Sequence, residues 1–185
     1  MKLFHFSEDS RIERFIPRPV AIPAERAPGR EWLNGPLVWA IEEAWQGLYV
    51  FPRDCPRILL VPTAATTMAD RAQWFGDSPA RMIAYVEQCW MARLSRTVIF
   101  RYAFDRRGFE SLNDAGAWVS REIEIPTAME RFTSLPVALA IQEIELRPLE
   151  SLLPLVDVWS TSSHVSGIWL RNARAWPAPL QPFAR

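Results

Sequence analysis

The sequence predicts an α+β fold. It reads as a single domain spanning residues 1–185, with a central mixed, largely antiparallel sheet and short flanking helices. Three observations predict it. Apolar runs of strand length outnumber helix-period segments. They follow one another in irregular order, without the strand–helix alternation of a doubly wound sheet. Apolar residues make up 49% of the chain and charged residues 23%, a globular balance. A chain of this size buries about 70% of its unfolded surface, so neither disulfides nor a structural metal is needed for folding.

The elements follow in order. Residues 2–6 form a first strand. Ser7 can cap a helical turn over 8–14, with acids in the first turn. Residues 16–36 hold five prolines and two glycines, the mark of a long irregular loop of the kind that forms lids. "PLVWAI" (36–41) is a strand. In "EEAWQGLYV" (42–50), Ala44, Trp45, Leu48 and Tyr49 share one helix face. "RILLV" (57–61), between two prolines, is a buried strand. Residues 67–75 are helical or irregular, 81–86 a strand, and 87–94 helical.

In "TVIFRYAFD" (97–105), Val98, Phe100, Tyr102 and Phe104 line one strand face. "AWVSREIEIP" (117–126) is a strand on which Glu122 and Glu124 share a face, about 7 Å apart. Residues 134–143 are helical and 144–149 a strand. Pro154 opens a last helix through about Ser162.

Charge and cysteine content narrow the function. Lys+Arg and Asp+Glu both number 21. A zero net charge gives no long-range attraction to nucleic acid. Cys55 and Cys89 match no zinc spacing, so no metal is expected. No apolar run approaches the ~20 residues of a membrane span, and no secretory leader is seen. A reducing cytoplasm is the expected compartment. Phosphate loops, GxGxxG, HExxH, CxxC and GxSxG are absent from the sequence. Nine tryptophans and ten phenylalanines supply enough aromatic area to line a cleft as well as a core. Nothing in the sequence sets an oligomeric state.

What remains is a sparse order of residues: "LFHFS" (3–7), then "LVWAI" (37–41) before a helix bearing Tyr49, and finally "REIEIP" (121–126). That order resembles the ADP-ribosyltransferase-like fold, in its histidine-type branch. The chain more directly resembles an uncharacterised bacterial family marked by "FHFSED", "VWAI", "FPRDCPR" and "WVSREIEIP", which transmits a fold and no activity.

The transferase resemblance implies NAD as a cofactor and a cleft holding His5 and Glu122. Glu122 would be the catalytic carboxylate, stabilising positive charge on the ribose as nicotinamide leaves. His5 and Ser7 would hydrogen-bond the ribose or amide. Trp39 and Tyr49 would stack on the base, and Arg53 would pair with pyrophosphate. Phe6, where many members carry a small residue, departs from the pattern.

Each assignment has a plainer counterpart. His5 can be a satisfied structural histidine, and Glu122 a solvated strand residue, with Glu124 the next carboxylate in line. Trp39 and Tyr49 can be core. "RDCPR" (53–57) can be a tight turn, with Arg57 sharing the phosphate role of Arg53. His164 is expected to be exposed. Three functions therefore stand: an NAD-dependent transferase, a non-catalytic domain binding a nucleotide-like small molecule, or a partner-binding protein.

Overall fold

In the computed structural model, which describes residues 1–177, the chain forms two compact units. The first comprises Met1–Tyr49 and Val98–Phe132. The second comprises Val50–Thr97 and residues 133–177. Each unit builds its own sheet, so the expected central sheet is replaced by two. Strand propensity marks which segments extend. It says nothing about which of them pair.

The first unit holds a six-stranded antiparallel sheet. Its strands are β1 (Lys2–Ser7), β2 (Val38–Glu42), β5 (Ile99–Asp105), β6 (Glu110–Ser111), β7 (Ala117–Ser120) and β8 (Ala128–Phe132). They lie in the order β6-β7-β2-β1-β5-β8. In β1, Leu3, His5 and Ser7 face one side, opposite Phe104, Tyr102 and Phe100 of β5. On that side Leu3, Val38, Ala40, Tyr102, Phe104 and Trp118 form a core with Phe15. The other side carries two smaller clusters, one around Phe4, Ile41 and Ala103, the other around Leu33, Leu37, Leu112 and Val119. Both faces of the sheet therefore carry buried apolar clusters.

The second unit holds a four-stranded mixed sheet of β3 (Arg57–Val61), β4 (Met82–Glu87), β9 (Ile144–Leu149) and β10 (His164–Ile168), in the order β10-β3-β4-β9. Only β4 and β9 run parallel. All six residues of β4 are buried: the apolar run Met82–Val86, as a strand covered on both faces requires, and Glu87, whose Oε1 accepts the Arg174 N–H. Helix α1 (Met68–Trp74) is capped by the Thr67 hydroxyl, which accepts from the Asp70 N–H. It closes at Gly76, whose φ of +56° lets its N–H return to the Arg71 and Ala72 carbonyls. Helix α2 spans Met91–Arg96, and α3 (Leu135–Ile141) packs on β9. Among the described residues no helix is long and apolar enough to cross a membrane.

Several sequence expectations are corrected. Residues 8–14 form no helical turn. Ser7 Oγ accepts the Asp9 N–H and Asp9 Oδ1 accepts the Arg11 N–H, so side chains capture the donors that would begin a helix. The segment 42–50 is a tight 3-10 helix, Glu43–Tyr49, not an α-helix. The strand expected over 117–126 ends at Ser120, whose Oγ accepts the Glu122 N–H and bends the chain. The helix expected from Pro154 is two 3-10 turns, Leu153–Leu155 and Val158–Ser160. The Ser160 hydroxyl donates to the Asp157 carbonyl and holds the second of these turns short. His164 is half-buried in β10, a strand the sequence reading missed. The loop over 16–36 is irregular as expected, apart from a bridge between Arg18 and Leu37 and a 3-10 turn at Glu31–Asn34.

Candidate functional site

His5 is half-buried on β1. Its Nδ1 lies 2.8 Å from the Trp39 carbonyl oxygen. A carbonyl only accepts, so Nδ1 carries the proton and donates. The imidazole also packs on Phe15, with ring centroids 4.8 Å apart. Phe15 in turn meets Tyr102 and Phe104 edge-on, at 5.1 and 5.0 Å. Ser7 is buried, and its hydroxyl serves the Asp9 turn. The Tyr102 hydroxyl donates to the Asp9 carbonyl at 2.7 Å and accepts the Ile12 N–H at 3.3 Å. Segment 8–15 is thus strapped over the His5 face by an aromatic box and a buried phenol.

The late acidic segment reaches this box through Glu124. Its N–H and C=O exchange hydrogen bonds with Phe15 at 3.0 and 2.8 Å. Its carboxylate lies against Gly108, where an added Cβ would stand 2.6 Å from Oε1. Glu122, two residues earlier, is exposed.

The remaining candidates lie elsewhere. The Trp39 ring is on the opposite sheet face from His5, among Leu33, Leu37 and Val119. Tyr49 ends its 3-10 helix 39% exposed. Arg53 belongs to the second unit and is exposed in a tight turn closed by the Cys55 N–H on the Pro52 carbonyl. Arg57 is buried, with Nη1 donating to the Cys55 carbonyl. Burial pushes the Cys55 thiol up to about 12, which keeps it an unreactive thiol. Among the described residues no group of three or more His, Cys, Asp or Glu could hold a metal ion.

A hollow in the first unit is lined by aromatic and proline side chains and one arginine. Pro17, Trp32, Gly35, Pro36, Leu37 and Arg121 line an open depression of about 430 Å³. The Arg121 guanidinium sits 4.6 Å from the centre of the Trp32 ring, and its Nη1 is 3.0 Å from Glu110 Oε2. The end of the proline-rich loop supplies Trp32 and its neighbours. The bend after β7 supplies Arg121, adjacent to Glu122. Neither Trp32 nor Arg121 stood out in the sequence. The available signal was the arginine immediately before Glu122 and a tryptophan in the glycine–proline end of the loop.

No curated protein and no solved structure gives a significant match. Nothing found links the chain to ADP-ribosyltransferases, so that resemblance gains no support. One family model matches residues 4–173, nearly the whole chain. The chain belongs to the family of unknown function DUF6886.

Proposed function

We propose that this chain is a non-catalytic binding domain for a small anionic molecule with a planar, nucleotide-like part, held in the hollow that Trp32 and Arg121 line together. The observation that carries this reading is the Arg121 guanidinium 4.6 Å from the centre of the Trp32 ring, the two lining a mostly apolar open hollow of about 430 Å³. That volume falls in the range of small-molecule sites. The indole and prolines offer flat apolar walls to a base. Arg121 offers a planar fork to a phosphate or carboxylate, and Glu110 is a surface partner it can exchange at little cost.

Binding is favoured over ribosyl transfer by two features. The His5 Nδ1 proton is committed to the Trp39 carbonyl, and Glu122 lies exposed. NAD remains one candidate ligand, through its adenine and pyrophosphate.

Thermal shift with AMP, ADP-ribose and NAD tests the reading. A ligand at 100 times its Kd adds about 2.7 kcal/mol, which raises Tm by roughly 5–10 °C in a chain of this size. Arg121→Ala and Trp32→Ala should each abolish the shift. No shift with any of the three, or a shift that survives both substitutions, overturns the reading. Nicotinamide release from NAD that is lost in Glu122→Gln would replace it with the transferase.

A further inference from the structure

On the Trp39 face of the six-stranded sheet, two neighbouring groups lack the partners their chemistry calls for. The Trp39 indole Nε1 is buried and finds no acceptor. A buried donor left unpaired costs about 1–3 kcal/mol. The Arg26 guanidinium lies 5.9 Å from the centre of the same ring. Its Nε donates to Asn34 Oδ1 at 3.3 Å, a neutral acceptor, and no carboxylate pairs with it among the described residues. Its partial burial lowers its pKa.

The loop around it holds Arg26 in place. Asn34 Nδ2 donates to the Ala24 carbonyl at 2.8 Å, and its Oδ1 accepts the Ala24 N–H at 3.2 Å. The Asn34 carbonyl accepts the Val20 N–H at 3.3 Å. One asparagine therefore folds the proline-rich segment into a fixed arch, and Arg26 is carried on that arch.

We propose that Trp39 Nε1 and Arg26 together bind an oxyanion, the carboxylate or phosphate group of a small molecule, beneath the proline-rich loop. The indole N–H points outward in the ring plane, while the guanidinium stands off the ring. An anion with two or more oxygens can take the N–H on one and the guanidinium on another. A water can satisfy the indole, but it leaves the cation unneutralised. The site shares no residue with the Trp32–Arg121 hollow and does not depend on it.

The test follows the tryptophan indole N–H resonances of ¹⁵N-labelled full-length protein at constant ionic strength. Inorganic phosphate and acetate are titrated separately against a chloride control. Trp39→Phe identifies the resonance. Arg26→Gln, in a partly exposed loop, preserves the fold. The expected result is a saturable shift of the Trp39 resonance with phosphate, acetate or both, and the responding anion names the ligand class. Arg26→Gln should weaken that response at least 5-fold, and Arg121→Ala should leave it unchanged. A Trp39 resonance that stays still means a water only, and one that moves equally with chloride or responds as before in Arg26→Gln means a non-specific salt effect; each overturns the proposal. Loss of the response in Arg121→Ala assigns the anion to the hollow instead and equally overturns it.

Discussion

Replacing Phe15 by alanine should be among the most damaging single changes in the first unit. Phe15 is 5% exposed and sits at the centre of the box formed by His5, Tyr102 and Phe104. Truncation of a buried phenylalanine costs about 3–5 kcal/mol, through lost transfer energy and the cavity left behind. Three aromatic contacts disappear with it, each worth about 0.5–1.5 kcal/mol beyond buried area, partly counted already in that range. The backbone exchange with Glu124 survives the substitution and keeps the loss near 3–4 kcal/mol. At roughly 2–4 °C per kcal/mol, Tm should fall by about 6–16 °C. Phe15→Leu keeps most of the volume and should lose less than half as much.

Urea denaturation followed by far-UV circular dichroism measures the loss. Hydrogen exchange then locates it. Amides of β1 and β5, whose partners His5 and Tyr102 lean on Phe15, should exchange faster, as should the Ile12 amide that donates to Tyr102. A loss under 1 kcal/mol in Phe15→Ala, with protection of β1 and β5 unchanged, would refute the claim that this ring pins segment 8–15 to the sheet.

Two other substitutions and a pH series probe separate parts of the fold. Gly116 has φ +67°, and an alanine Cβ there would stand 2.4 Å from Trp45 Cδ1, so Gly116→Ala should cost about 2–4 kcal/mol by urea denaturation, from backbone strain and overpacking together. Arg147 donates to the Trp74 carbonyl (2.8 Å), the Phe75 carbonyl (3.3 Å) and the Tyr85 hydroxyl (3.1 Å), joining the end of α1 to β9. Arg147→Ala should lower stability by about 2–3 kcal/mol, and Arg147→Lys, lacking the planar fork, should restore less than half. The Arg147 hydrogen bond, followed by that from Ser78, holds the Glu145 carboxyl below its ordinary value. Because the folded pKa is depressed, this contribution is complete above about pH 4.3, the unfolded value, and is lost as pH falls through the lowered one. Glu145→Gln should flatten that acid limb of the stability profile, and an unchanged limb would remove Glu145 from the account.

Much of the architecture was legible residue by residue. "RILLV" and "IELRPL" became β3 and β9 with the expected ends; the first is an apolar run bracketed by prolines, the second alternates apolar with charged residues, and both signals are local. Phe100, Tyr102 and Phe104 share a face because period 2 is a property of any extended chain. Three of the four edge strands, β6, β8 and β10, escaped detection. β8 reads Ala-Met-Glu-Arg-Phe with four of its five residues exposed, so it carries no alternation, and pairing with β5 alone makes it a strand. The helical turn after Ser7 failed where short polar side chains competed with the backbone for the same N–H groups.

By itself, then, the sequence determined the α+β class, most strand positions, the irregular proline-rich loop and the absence of the standard catalytic motifs, all of which are written in neighbours along the chain. Only the tertiary structure decided that the strands divide between two sheets. It also decided that His5 donates a hydrogen bond to a backbone carbonyl, that Trp39 turns to the opposite face, and that Trp32 meets Arg121 at a hollow. Those outcomes depend on contacts between residues many positions apart. Such contacts are selected by packing of whole faces, and no local pattern encodes them.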